Sequence, residues 1–152
     1  HMYEGGIRVA GSACWPGHIK PATNTTRTTL TMDIFPTVCE VAGIKAPAGI
    51  DGVSFLPTLI GKAQPEAPRD HYFVRREGGI MYGGKTIEAY IHGDWKLLQD
   101  SPFAPLELYN LKDDPQETND LANKDKATFR DLSALLRKQV QVGGEVPWQR
   151  SK

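Results

Sequence analysis

Hydrophobic residues recur at helical spacing in the first third of the chain. Between Asp33 and Gly43 the apolar side chains share one face, at Ile34, Phe35, Val38, Val41 and Ala42. Pro36 suits a first helical turn, and Gly43 is placed to end the helix. Residues 54–61 repeat this order at smaller scale. The pattern predicts a helix over residues 33–42 and a short helical turn near residue 57.

Strand-like segments occur on either side of these helices. Residues 5–15 predict a strand that Trp15-Pro16-Gly17 stops. Further strands are predicted over residues 71–75, 88–92, 95–99 and 107–109. His92-Gly93-Asp94 is typical of a tight hairpin turn between two of them.

The last third of the chain is again helical. Its apolar residues fall on one face, at Phe129, Leu132, Leu135, Leu136 and Val140. The order of elements therefore predicts an α+β fold, with a small four-stranded antiparallel sheet packed by a long C-terminal helix. A strand and helices precede this sheet.

Composition narrows the classes of function. The 152 residues include 18 Lys+Arg and 18 Asp+Glu, a formal net charge of 0, which argues against a broad basic nucleic-acid surface. No apolar run approaches the roughly 20 residues of a membrane-spanning helix. Cys14 and Cys39 give no disulfide framework, and we interpret both as small buried hydrophobic residues.

No catalytic constellation is evident from the residues themselves. The histidines His18, His71 and His92 are not spaced as metal ligands, and phosphate-loop, dinucleotide and nucleophile-elbow motifs are absent from the sequence. Asp113-Asp114 lies in a proline-containing turn, where capping is the expected role. We therefore predict no catalytic residue and no metal ligand in this chain.

Six segments in order resemble the C-terminal part of the type I, formylglycine-dependent sulfatases of the alkaline-phosphatase superfamily. They are residues 3–9, 15–19, 32–37, 50–57, 93–97 and 107–121, with the runs Tyr-Glu-Gly-Gly, Trp-Pro-Gly-His, Gly-Asp-Trp-Lys and Leu-Tyr-Asn-Leu among them. Ala10 departs from the proline that usually follows Arg-Val in the family. Cys14 resembles the formylglycine signature only superficially, since His18 replaces its arginine.

The resemblance implies a longer parent enzyme that hydrolyses sulfate esters, using formylglycine as nucleophile and a calcium ion that polarises the sulfate. Both would lie in the N-terminal part of the parent, whose sulfate-binding lysine normally stands about four positions before the Tyr of Tyr-Glu-Gly-Gly. The present chain would be inactive alone. A related phosphate or phosphonate ester hydrolase, or a non-catalytic binding module, remain alternatives.

The same resemblance suggests a division of the chain. Residues 1–2 look like the remnant of an expression tag, 3–61 like the tail end of the large α/β domain, 62–68 like a linker, and 69–152 like the C-terminal subdomain. The expected partners are the N-terminal catalytic part of the parent and a sulfated small molecule or carbohydrate. A homo-oligomer could form through the exposed edge of the first strand. A periplasmic or extracellular location for the parent would agree with the resemblance.

The resemblance also nominates residues near a substrate cleft. Candidates for the cleft wall are His92, Tyr82, Arg75 and Arg76, because cationic or polar side chains there could contact an anionic substrate. Glu4 and Arg8 are candidates for a structural ion pair near the sulfate pocket.

Overall fold

The computed structural model describes residues 1–65, 69–76, 86–101 and 103–143. They fall into two units, one made of residues 1–9 and 68–152, the other of residues 10–67. The predicted division at residues 62–68, with residues 3–61 belonging to the large domain of a parent, stays a prediction.

The first unit is built on a four-stranded antiparallel sheet in the order β1-β2-β3-β4. Its strands are β1 (His71–Arg76), β2 (Thr86–His92), β3 (Trp95–Gln99) and β4 (Glu107–Asn110). Each strand pairs with the next along the chain. Tyr72 of β1 lies opposite Tyr90 of β2, Tyr90 lies opposite Leu97 of β3, and Leu97 lies opposite Leu108 of β4. Gly93 has φ +58°, as the predicted tight turn between β2 and β3 requires.

The alternation of side chains gives the sheet two apolar faces. One face packs against the helix α4 (Lys126–Gly143), in a cluster made of Tyr90, Leu97, Leu108, Leu132 and Leu136. The other face carries Ile87, Ala89, Leu98 and Tyr109, and it is covered by Met2 from the start of the chain. The α+β architecture with a long C-terminal helix is therefore confirmed.

The start of the chain differs from the prediction. Residues 5–15 do not form a strand: a single helical turn, α1 (Glu4–Ile7), is followed by irregular backbone through residue 15. The physical reason is that Gly5 and Gly6 allow a tight turn, while contacts with β3 and β4 hold Tyr3 and Glu4 against the sheet. The exposed strand edge, on which the expected homo-oligomer depended, is absent from residues 5–15.

The second unit contains α2 (Ile34–Val41), preceded by a 3₁₀ turn (Thr31–Asp33), and the short helix α3 (Leu56–Leu59). The buried Asp33 carboxylate accepts the backbone N–H groups of Leu30 and Val53, each at 2.8 Å. Thr37 adds a second link by accepting the N–H of Phe55 at 3.1 Å. These side chains tie the two predicted helical segments together.

The apolar face of α2 is exposed in this chain. Ile34, Phe35, Val38 and Val41 are 43–58% exposed, whereas Pro36 and Thr37 are buried. The expectation that both cysteines are buried is also wrong, since Cys14 is exposed and Cys39 is half-buried, both as free thiols. The other described residues of the second unit leave each of these side chains at least partly uncovered.

Candidate functional site

A fully buried lysine lies at the centre of the first unit. Lys96 Nζ lies 2.7 Å from Glu117 Oε1 and 2.9 Å from Glu4 Oε1. The Glu117 side chain is 2% exposed and that of Glu4 is 14% exposed. Because removing charges from water is expensive, such a group is stable only when it is closely paired. We call Glu4, Lys96 and Glu117 the buried ion cluster.

Strand alternation explains how a lysine reaches this position. Lys96 and Leu98 lie on the sheet face that residues 1–9 cover, while Leu97 between them faces α4. In the sequence, Lys96 interrupts the apolar residues of β3, a position where an unpaired ammonium would be strongly destabilising.

The loop after β4 places the Glu117 carboxylate next to Lys96. Asp114 accepts the backbone N–H groups of Thr118 and Asn119 at 2.8 Å, and these bonds lower its pKa. This confirms the predicted capping role for Asp114. Asp120 ties the far end of the loop to β4 by accepting the N–H of Leu108 at 3.0 Å. Between these anchors, Glu117 adopts φ +56°, a conformation that non-glycine residues seldom take.

Consecutive residues at the start of the chain are held by carboxylates of β4 and of the loops that follow β3 and β4. Asp100 accepts the N–H of Met2 at 2.6 Å, and Glu117 accepts the N–H of Glu4 at 2.5 Å. Between them, Tyr3 donates its hydroxyl to Glu107 Oε2 at 2.7 Å. Burial, reinforced by the nearby Glu107 carboxylate, raises the pKa of Tyr3 to about 12.

The predicted pair of Glu4 with Arg8 is present but loose. Arg8 Nη1 lies 3.9 Å from Glu4 Oε2, and the Arg8 side chain is 73% exposed. Such an exposed ion pair contributes little to the stability of the fold. The main partner of Glu4 is Lys96, which sequence reasoning missed. The signal was the presence of Glu4, Lys96 and Glu117 in three of the six sulfatase-like segments.

A second polar cluster lies at the end of the sheet where β1 begins and β2 ends. Asp70 Oδ1 lies 2.6 Å from His92 Nδ1, and Tyr90 donates its hydroxyl to the other oxygen of Asp70. Burial alone would raise the pKa of Asp70, but the hydrogen bonds from Tyr90 and His92 outweigh it and lower that pKa. Burial and the Asp70 carboxylate raise the pKa of Tyr90. We call these residues the His92 cluster.

In the His92 cluster a carboxylate holds a half-exposed imidazole in one orientation. Asp70 engages Nδ1, so Nε2 is the ring nitrogen left to face a ligand. A group held in this way can bind an anion when protonated or accept a proton when neutral.

The remaining cleft candidates are not gathered around His92. Arg75 pairs with Ile87, roughly 13 Å along β1 from the strand end at His71. By alternation Arg75 shares the face of Phe73, whereas His92 shares that of Tyr90. Arg76 ends β1, opposite Thr86. Tyr82 lies outside the described residues.

Neither metal nor membrane features are found in the part of the chain that the structure describes. Across residues 1–65, 69–76, 86–101 and 103–143, no three His, Cys, Asp or Glu side chains are grouped as metal ligands. Calcium therefore does not fit the described residues. The described helices include none of the length and apolar character needed to cross a membrane.

Comparison with known proteins decides the family. Residues 1–143 match the family model for the C-terminal part of N-sulphoglucosamine sulphohydrolase. The chain belongs to this family of sulfatase C-terminal domains. Human steryl-sulfatase is 43% identical over 180 residues, and a Formosa agariphila sulfatase is 33% identical over 151 residues. Solved structures agree, since a 2-O GAG sulfatase matches with a TM-score of 0.59 at 28% identity.

This sulfatase domain is much shorter than its relatives. The alignments cover 97% of the chain but 30% of human steryl-sulfatase, and 92% of the chain but 27% of the Formosa protein. The solved GAG sulfatase is covered over 26% of its length by 79% of this chain. A phosphonate monoester hydrolase of Agrobacterium radiobacter is a more distant neighbour, at 23% identity and a TM-score of 0.52, which shows a shared fold alone.

Proposed function

We propose that this chain is the C-terminal part of an enzyme that hydrolyses sulfate esters of small molecules or carbohydrates. The observation that carries the proposal is the family match over residues 1–143, in relatives of which the chain spans about 27–30%. The resemblance assigns formylglycine and calcium to the N-terminal part of such an enzyme. In this proposal the present chain contributes docking and substrate contact.

The exposed apolar face of α2 supports the docking role. A surface helix normally turns such a face toward a core, yet Phe35 and Val38 are 55% and 58% exposed. The chain matches only about 27–30% of the length of its relatives, so the remaining N-terminal catalytic part of the same enzyme is the partner that we propose for this face. Docking there would bury this face and remove the exposed apolar patch.

The His92 cluster supports the role in substrate contact. Sulfated substrates are anions, and a half-exposed imidazole fixed by Asp70 can bind an anionic group outside the reacting sulfate. In this proposal His92 affects the binding of large substrates more than the chemical step.

The test of the activity uses the full-length enzyme. Its hydrolysis of an aryl sulfate, an aryl phosphate and a phosphonate monoester is compared under identical conditions. The proposal expects the sulfate ester to have the highest kcat/KM. A phosphonate or phosphate ester turned over faster, or no sulfate hydrolysis at all, would overturn it.

The docking and contact roles have separate tests in the same enzyme. Val38→Asp places a charge on the α2 face, and Ala134→Asp places the same charge on the exposed side of α4 as a control. We expect only the first to lower the yield of active, soluble enzyme. For contact, His92→Ala should raise KM for a sulfated oligosaccharide but not for a small aryl sulfate, whereas His18→Ala should change neither. Equal effects within either pair of variants would refute the corresponding role.

A further inference from the structure

We propose that Lys96 is a positioning residue, which fixes Glu4 in the orientation that the catalytic part of the enzyme requires. The inference rests on the proposed function. It differs from a plain stabilising role because it predicts a change in turnover by folded enzyme.

The energetics of the buried ion cluster favour positioning over stability. A buried ion pair contributes little net stability compared with apolar side chains of the same volume, because desolvation offsets the attraction. Here the ammonium of Lys96 is fully buried, and two carboxylates share it. Among the described residues, the other cation paired with this cluster is Arg8, whose Nη1 lies 3.9 Å from Glu4 Oε2 and whose side chain is largely exposed. The main effect of the cluster is to hold its side chains at fixed positions, because close charge pairs tolerate little displacement.

Two contacts of the buried ion cluster hold the same residue near the start of the chain, Glu4. Glu117 binds the backbone N–H of Glu4 at 2.5 Å, and Lys96 binds the Glu4 side chain at 2.9 Å. Main chain and side chain of Glu4 are thus both fixed. The next two residues are Gly5 and Gly6, which by themselves leave the chain many conformations. A turn of only four residues has little intrinsic stability, so the clamp on Glu4 sets its orientation.

The conformation of Glu117 points the same way. A positive φ at a non-glycine residue is strained and persists only where the surroundings enforce it. At Glu117 the strained backbone directs the carboxylate to Lys96 and Glu4.

The consequence for catalysis follows from the direction of the chain. In the proposed enzyme the catalytic part lies on the N-terminal side, so the backbone that leaves it passes through Glu4 as it enters this domain. Displacing reacting groups by about 1 Å can reduce turnover about 100-fold. Loosening Glu4 should therefore lower kcat more than it weakens substrate binding.

The test compares variants of the full-length enzyme with an aryl sulfate as substrate. Lys96→Met removes the charge and keeps an unbranched chain, and Glu117→Gln removes the negative charge beside Lys96 and leaves only a weaker, neutral acceptor for the Glu4 N–H. We expect kcat per folded enzyme to fall roughly 10- to 100-fold, with KM within about twofold of wild type. The folded fraction comes from an unfolding curve. Tyr72→Phe, which loses a hydrogen bond to Glu88 on the α4 face of the sheet, is the control and should leave kcat unchanged.

Two additions keep the inference falsifiable. If Lys96→Met does not fold, the variant Glu4→Gln/Lys96→Met/Glu117→Gln leaves no buried charge unpaired and should fold with the same loss of kcat. Amide exchange over residues 4–8 should be faster in each cluster variant than in wild type. Active wild type with unchanged kcat in the folded variants would overturn the positioning role, whereas inactive wild type would overturn the proposed function itself.

Discussion

Glu117 accepts the backbone N–H of Glu4 at 2.5 Å across 113 positions of sequence. The bond joins the start of the chain to the loop after the last strand, and Lys96 lies between the two carboxylates. Three segments that resemble sulfatases as separate runs of residues therefore meet at one buried point.

The buried ion cluster predicts a large loss of stability when one partner is removed. Lys96→Ala leaves Glu4 and Glu117 without their ammonium, and removing one partner of a buried pair typically costs about 3–5 kcal/mol. Urea unfolding of wild type and variant measures the difference in the free energy of unfolding. Lys112→Ala, at an exposed lysine, is the control and should stay within about 0.5 kcal/mol of wild type. Equal stability of the two variants would contradict the cluster.

Asp33 should be essential to the second unit. Its carboxylate accepts two backbone N–H groups, so Asp33→Ala leaves Leu30 and Val53 without acceptors. Hydrogen bonds to a charged group contribute about 1.5–3 kcal/mol each, so we expect a loss of at least about 2 kcal/mol. Faster amide exchange at Leu30 and Val53 would locate the loss. Glu40→Ala, on the exposed side of α2, should leave both amides protected, and identical exchange in both variants would refute this role.

Gly52 should not tolerate a side chain. A Cβ built at this position would lie 2.2 Å from the backbone oxygen of Met32, and an atom of the rigid main chain cannot yield cheaply. Gly52→Ala should therefore cost roughly 1–3 kcal/mol through overpacking. Gly11→Ala meets no atom within 4 Å and serves as the control. Thermal unfolding of the two variants side by side checks the prediction, which fails if their midpoints agree.

Tyrosine ionisation should limit stability at alkaline pH. Burial, together with neighbouring carboxylates, raises the pKa of Tyr3 to about 12 and shifts Tyr72, Tyr90 and Tyr109 upward as well. The folded state thus keeps protons that the unfolded state releases near pH 10. The resulting stability is fully present below about pH 10 and is lost as the pH rises through the folded-state values.

A spectrophotometric titration of tyrosinate checks this prediction. Wild type should show most of its tyrosines ionising together with unfolding, and Tyr3→Phe should make the alkaline loss of stability shallower between about pH 10 and 12. Normal titration of the described tyrosines in folded protein would contradict the hydrogen bonds to Glu107, Glu88 and Asp70.

Local patterns were sufficient for most of the secondary structure. The alternation of side chains and the turn residues predicted the four strands to within two residues at each end. This was possible because β-branched and aromatic residues that alternate with polar ones favour a strand wherever a neighbouring strand is available for pairing. Helical spacing likewise predicted α2 and α4, and Asp114 was predicted as a cap from its turn. The resemblance to sulfatases, read from six short runs, was confirmed by the family match over residues 1–143.

Tertiary structure alone decided where the charges go. Residues 5–15 resemble a strand by composition, yet a strand needs a partner for its backbone hydrogen bonds, and contacts with the sheet instead fold Glu4–Ile7 into a turn. In the sequence, Lys96 does not differ from an ordinary lysine on a strand. Its partners Glu4 and Glu117 lie 92 residues before it and 21 residues after it, and only the fold brings them to it. Pairing across such distances leaves no periodic signal, because it depends on which sheet face residues 1–9 cover.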